Sequence, residues 1–380
     1  MGCSSHIDTS EKIIPNQVNQ VIKEQNTQQK NIEQNKIPSK TLEINQKLKN
    51  KEPVKSLTKK KEKINENETN EEILYLEYET TSDNEEILLL GNEVDEFDDY
   101  TPPFYEREHT KFDLYYNDNK IDIFYYTFEK AGTYLIKMVL KGKISNFTYM
   151  FYNCTNLKSI KGYIDTSNIR SFSWLFNNCS SLVDISALKR WNITNVRTFD
   201  FMFNKCSSLT DLSPISQWDM SGDRSIGSMF SSCESLTDLK PLQNWDISGC
   251  DTLNFLFSKC SSLSDLSPLK NWNLSNARNF LHMFSECDSL TDITPLKNWD
   301  VSSGEYFRDM FYKCTNLTTV SGIKDWNISN AKQLGGMFDK CGKIKDADSL
   351  IDKFGNDFLE PPKSFWYMFL YKYYIRNNNI

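Results

Sequence analysis

The stretch Met229-Phe230-Ser231-Ser232-Cys233-Glu234-Ser235-Leu236-Thr237-Asp238-Leu239-Lys240-Pro241-Leu242-Gln243-Asn244-Trp245-Asp246-Ile247-Ser248 recurs, with small changes, along most of the chain. Its cysteine returns on a nearly fixed beat: Cys154, Cys179, Cys206, Cys233, Cys260, Cys287, Cys314 and Cys341, with a first gap of 25 residues and six gaps of 27. Such a period is the signature of stacked units, each too small to bury a core alone. A stack of this kind acts through repeated faces more than through one deep pocket.

The residues around each cysteine suggest the shape of one unit. Three positions before it stands Phe, from Phe151 to Phe338; four before stands Met or Leu; seven before stands Phe, Ile or Leu. These offsets share one face of an α-helix. Ser or Thr twelve positions before the cysteine (Ser167, Thr194, Ser221, Ser248, Ser275, Ser302, Ser329) reads as the N-cap. Downstream, apolar residues fall three, six and nine positions on, and Pro214, Pro241, Pro268 and Pro295 exclude a long helix there. Trp191, Trp218, Trp245, Trp272, Trp299 and Trp326 close the unit.

The fold expected from this pattern is an α/β solenoid of the leucine-rich-repeat type, about eight 27-residue helix–strand coils with N- and C-terminal caps and a disordered N-terminal tail. Helices about 10 Å apart and strands about 4.8 Å apart would curve the stack, with strands on the concave side.

Composition sets the other boundaries. Residues 1–70 are rich in Asn, Gln, Lys, Glu, Ser and Thr and read as disordered. Residues 71–110 read as an acidic linker, 111–145 as a β cap with a hairpin at Ala131-Gly132, 146–352 as the solenoid and 353–380 as an aromatic C-terminal cap. Charge is segregated: eight lysines and two glutamates lie between Lys47 and Lys63, then fourteen acidic residues and no Lys or Arg between Glu66 and Asp99. Glu71-Glu72-Ile73-Leu74-Tyr75-Leu76 and Glu85-Glu86-Ile87-Leu88-Leu89-Leu90 alternate charge with apolar clusters and read as a partner motif or an internal mask.

The motif Met-Phe-x-x-Cys-x-x-Leu-x-x-Leu, followed by Trp-Asp-x-Ser, resembles the BspA-like leucine-rich-repeat family of bacterial and protist surface proteins. It is carried here by Met229, Phe230, Cys233, Leu236 and Leu239, then Trp245, Asp246 and Ser248. The resemblance implies a repeat architecture and, by the habit of that family, an exported adhesin or surface antigen. The sequence shows neither a secretory segment nor the roughly 18 consecutive apolar residues that span a bilayer.

Several residues invite chemistry. One cysteine per unit, with only His6, His109 and His282 in the chain, does not match metal-site spacing and reads as a ladder of small buried groups, Cys250 included. The Trp ladder reads as corner packing, against a stacking platform for sugars. Asp184, Asp211, Asp238, Asp265, Asp292 and Asp346 recur five positions after the cysteine. Three readings stay open for them: acceptors of backbone N–H groups, an acidic stripe for a basic partner, or calcium ligands, for which one carboxylate per unit is a poor match. The acidic row disfavours nucleic acid. No catalytic motif appears, and no cofactor is implied.

Met1-Gly2-Cys3-Ser4-Ser5 looks like a dual-acylation site, with myristate on Gly2 and palmitate on Cys3. Each lysine of the Lys47–Lys63 block would add about 1 kcal/mol near an anionic leaflet. The functional expectation is a non-enzymatic scaffold, in the cytoplasm or tethered to the cytosolic face of a membrane, that binds a protein partner through the concave strand face. The alternative is an exported BspA-like adhesin or antigen at the cell surface.

Overall fold

The structure is a computed structural model, and it describes residues 72–91, 109–121 and 124–354. Seven strands are present: β1 (Ile73–Thr80), β2 (Glu85–Leu88), β3 (Phe112–Tyr116), β4 (Asn119–Ile121), β5 (Tyr125–Phe128), β6 (Gly132–Leu140) and β7 (Leu157–Tyr163). Five form an antiparallel sheet in the order β4-β3-β6-β1-β7, and β2 pairs with β5. In β1, Leu74, Leu76 and Tyr78 face the core while Tyr75, Glu77 and Glu79 are half-buried on the other side.

Two expectations are overturned here. The acidic segment 71–110 is not simply a linker, because it contains β1, an interior strand, and β2. The hairpin at Ala131-Gly132 does not form either. All eight residues of β1 pair with β6, from Ile73 opposite Val139 to Thr80 opposite Gly132, and this long register displaces the local turn. Strand β7 joins sheet to repeats: it is antiparallel to β1, and Ile160 N–H donates to the Asp184 carbonyl of the next unit at 2.9 Å.

The helix–strand α/β solenoid of the leucine-rich-repeat type is also overturned. Within the described repeats the only helical segments are six short 3-10 turns and one seven-residue α-helix, α1 (Asp348–Phe354). The stretch read as a helix is a pair of successive tight turns. In the first unit Met150 N–H donates to Phe147 C=O and Cys154 N–H to Phe151 C=O, both at 3.1 Å. Two residues per unit are left-handed, Tyr149 (φ 66°) and Asn153 (φ 61°) here, Phe255 (φ 56°) and Lys259 (φ 61°) further on. A right-handed helix cannot contain them.

The same pair of turns places the residues seven, four, three and zero positions from the cysteine inside, so the core is the expected one on a different backbone. It also frees alternate amides to reach the next unit: Phe151 N–H to Leu175 C=O and Asn153 N–H to Asn177 C=O, each 2.9 Å. In a helix those donors are consumed internally. Without helices, the spacing mismatch that was to curve the stack is gone, and the concave strand face loses its physical basis.

The units stack on one another as coils, numbered here by their cysteine. Phe rings lie face to face from Phe151–Phe176 (5.4 Å between centroids) to Phe311–Phe338 (5.3 Å). Each thiol points at the carbonyl of the preceding coil's Phe, from Cys179 to Phe151 (3.0 Å) through Cys341 to Phe311 (3.0 Å). Isolated parallel bridges such as Ser171–Thr198–Ser225 knit neighbouring coils.

Candidate functional site

The row five positions after each cysteine is built by a local turn. Asp184 accepts the Ser186 N–H at 2.9 Å, Asp211 the Ser213 N–H at 2.8 Å, Asp238 the Lys240 N–H at 2.8 Å, Asp265 the Ser267 N–H at 2.8 Å and Asp292 the Thr294 N–H at 2.7 Å. In each, Oδ1 takes the amide two residues on, an Asx turn that opens the 3-10 segment. The second oxygen of Asp211 and of Asp265 accepts the hydroxyl of Ser213 (2.9 Å) and Ser267 (2.8 Å). Asp346 differs: it reaches back to the amides of Val320 and Ser321, both at 2.9 Å.

Asp184 is half-buried and lies 3.3 Å from the Lys161 ammonium. Burial alone would raise its carboxyl, but the Ser186 amide and hydroxyl and Lys161 outweigh it and hold the group below the usual carboxylate range. Asp211, Asp238, Asp265 and Asp292 are exposed. Between coils 2 and 3 the row borders an open groove of about 610 Å³, lined in part by Val183, Asp184, Lys189, Asp211 and Gln217. Val183, at 42 % exposure, is one of two large apolar side chains exposed among the described residues.

The other sequence-derived rows are interior. All six ladder tryptophans are buried, and five donate Nε1–H to a carbonyl of the preceding coil, from Trp218 to Leu188 (3.2 Å) to Trp326 to Leu296 (2.9 Å). Trp191 has no acceptor, because coil 1 carries β7 where later coils carry the 3-10 turn. None of these six rings is left exposed for a sugar to stack on. The nine described cysteines are free and buried. Burial pushes the thiols from Cys154 to Cys314 well above their ordinary value, and Cys250 up to about 12. Among the described residues no group of three or more His, Cys, Asp or Glu is placed to hold a metal ion, and no helix is long and apolar enough to cross a membrane.

The repeat geometry sets the frame for comparison with known proteins. The family described as "Mycoplasma protein of unknown function, DUF285" matches residues 125–241 and 224–351. The chain belongs to the DUF285 family. Nothing among curated proteins or solved structures matches it. The DUF285 matches cover the described coils and enter the cap at Tyr125, the first residue of β5.

Gly2, Cys3 and the Lys47–Lys63 block lie outside the described residues, as does the aromatic C-terminal cap beyond Phe354. Sequence reasoning missed two clusters within the DUF285 coils. One is Arg224, whose guanidinium is buried on backbone carbonyls. The other is His282, which is buried, with Nε2 3.4 Å from Asp309, which Arg308 also contacts at 2.9 Å. Burial pushes His282 down to about 3 and Asp309 up to about 6. The sequence signal for the second was His282 followed by Asp309 in a row otherwise held by Tyr149, Trp174, Phe201 and Phe255, with Ser228 and Gly336 its other breaks.

Proposed function

We propose that this DUF285 protein is a non-enzymatic interaction module whose Asp184–Asp292 row receives a cationic segment of a protein partner. In this reading Gly2, Cys3 and the Lys47–Lys63 block hold it at the cytosolic face of a membrane. One observation carries the reading. Thirteen positions after the cysteine another Asx turn repeats, and there Asn serves as well as Asp: Thr194 N–H bonds Asn192 at 2.9 Å, Ser221 N–H bonds Asp219 at 3.0 Å, and Ser275 N–H bonds Asn273 at 3.1 Å. The turn therefore needs an oxygen and not a charge. In the row five positions on, Asp fills coils 2 to 6 and Asn fills none. Like charges stacked at about 4.8 Å repel, so the retained charge points to a use outside the turn.

The test replaces Asp211, Asp238, Asp265 and Asp292 together by Asn in the full chain, with oligolysine as the probe. Salt-sensitive binding to the wild type, lost in the variant at an unchanged unfolding midpoint, is expected. Equal binding by both proteins would sink the reading. Mass analysis of the N-terminal peptide from the native cell tests the tether: acyl mass on Gly2 or Cys3 is expected, and an unmodified Gly2 and Cys3 removes it.

A second reading, an exported surface protein of the BspA-like kind, is supported by the Met-Phe-x-x-Cys motif together with the DUF285 match. Protease added to intact cells separates the two. Cleavage of the chain favours the surface, and protection until lysis favours the cytosolic face.

A further inference from the structure

Nine positions before the ladder cysteine, coils 2 to 8 carry Arg170, Arg197, Arg224, Asp251, Arg278, Glu305 and Lys332. Backbone bonds stack this row. Arg197 N–H donates to Arg170 C=O at 2.9 Å and Ser225 N–H to Arg197 C=O at 3.0 Å; Arg278 bonds Asp251, Glu305 bonds Arg278 and Lys332 bonds Glu305, each at 2.8 Å. From coil 5 onward the row alternates in sign and neutralises itself, with Arg278 3.6 Å and Lys332 2.5 Å from Glu305. From coil 2 to coil 4 it is three arginines in succession.

Arg224 has turned inward. Its Nε donates to Ser221 C=O (2.9 Å), its Nη1 to Ile193 C=O (3.0 Å) and to Val196 C=O, and the guanidinium sits 5.9 Å from the centre of the Phe199 ring. Arg170 and Arg197 stay exposed, and among the described residues neither is in an ion pair. Two acids of this corner, Asp200 and Asp219, are engaged elsewhere, and a third, Asp223, is exposed. Asp200 holds the hydroxyls of Ser225 (2.7 Å) and Thr198 (3.0 Å), Asp219 holds the Ser221 amide (3.0 Å), and Asp223 precedes Arg224 one coil further on.

We propose that Arg170 and Arg197 form an oxyanion site that takes a phosphate group, free or on a lipid headgroup. Arg170 and Arg197 stand on consecutive coils whose hydrogen-bonded backbones lie about 4.8 Å apart, and two planar donor forks carried by such neighbours can serve one tetrahedral anion. Among the described residues no carboxylate pairs with either, and a bound anion relieves their mutual repulsion. The site is on a different row from the Asp carboxylates and stands or falls independently of the partner-binding reading.

The test uses the full chain with Gly2→Ala, so that no acyl group contributes, and two probes: inorganic phosphate, and phosphatidylcholine vesicles with and without phosphatidic acid. Arg170→Ala and Arg197→Ala change exposed side chains and leave the core intact, Arg197→Lys keeps the charge but not the fork, and Arg278→Ala is the control on the self-neutralised part of the row. Saturable phosphate binding is expected, weakened roughly tenfold or more by either alanine and partly by lysine, and unchanged in Arg278→Ala. Arginine-dependent binding confined to inorganic phosphate identifies a soluble ligand, and a further gain on phosphatidic acid vesicles identifies the headgroup. Absence of saturable binding to both probes, or losses no larger in Arg170→Ala and Arg197→Ala than in Arg278→Ala, would overturn the proposal.

Discussion

Replacing Trp245 by Phe removes the indole donor that reaches the Ile215 carbonyl at 3.1 Å in the buried turn of the preceding coil, and leaves that oxygen only the Trp218 amide, also at 3.1 Å. Losing one of the two hydrogen bonds to that carbonyl costs about 0.5–1.5 kcal/mol beyond the lost packing. Trp191 supplies an internal control. It is as buried as Trp245, 4 % exposed in each case, but its Nε1–H has no acceptor. Trp191→Phe therefore loses the same ring area while removing an unsatisfied donor. The packing loss cancels in the comparison, and Trp245→Phe should be the more damaging by about 1 kcal/mol or more. Urea unfolding of the two full-length variants measures it. At an m-value of about 3 kcal/mol/M the midpoints differ by roughly 0.3 M or more, and equal m-values license the comparison. Equal midpoints, or a larger loss at Trp191, would refute the inter-coil hydrogen bond as a stabilising contact.

Other consequences follow from buried groups. Asp309, raised to about 6, contributes stability that is complete below its ordinary 3.8 and lost as pH rises through about 6; His282, lowered to about 3, contributes stability complete above 6.5 and lost as pH falls toward about 3. Between about pH 4 and 6 the two slopes, each about 1.4 kcal/mol per pH unit, oppose one another. His282→Phe should expose a stability that falls as pH rises through this window, and Asp309→Asn one that falls as pH drops, both read by urea midpoints; a wild-type profile in both variants contradicts the pairing. Gly249→Ala places a Cβ 2.0 Å from the Gly222 carbonyl and should cost roughly 1–3 kcal/mol or more by thermal unfolding, whereas Gly342→Ala, with nothing within 4 Å, should be nearly silent. The nine buried thiols should resist an aromatic disulfide reagent in the native protein and react once urea unfolds it; rapid native labelling of several would contradict the thiol ladder.

Much of this was legible in the sequence, and the limits have physical causes. The 27-residue period, the Phe, Cys, Leu and Trp rows and their burial all follow from one unit repeated in register. The helix did not follow, because two consecutive tight turns put the same offsets inside as one helical face does. Glycine usually betrays left-handed positions, yet in the paired turns it stands only at Gly336, and bulky residues such as Tyr149, Trp174, Phe201, Phe255, His282 and Asp309, or Lys205, Lys259 and Lys313, fill most of the others. Stacking holds bulky residues there, since each of their amides bonds the next coil. Strand β1 was masked by the acidic composition around it, although Leu74, Leu76 and Tyr78 alternate with Tyr75, Glu77 and Glu79 as a half-buried strand should. The Asp row was visible as a row, but its turn chemistry needed the Ser, Thr or Lys amide two residues on. Arg170 and Arg197 were hidden because only the stacked register shows that one half of their row is neutralised and the other is not.

The central structural claim is the turn-built coil, and Lys259 tests it by sign. Its φ is 61°, and its amide donates to Ser285 of the next coil at 2.7 Å. Lys259→Gly and Lys259→Ala lose the same side-chain contacts and differ in one methyl. In a left-handed turn, glycine should be the more stable variant by about 1 kcal/mol in urea unfolding. In an α-helix the order reverses, with alanine ahead by about 1 kcal/mol, and that result would contradict the fold described here.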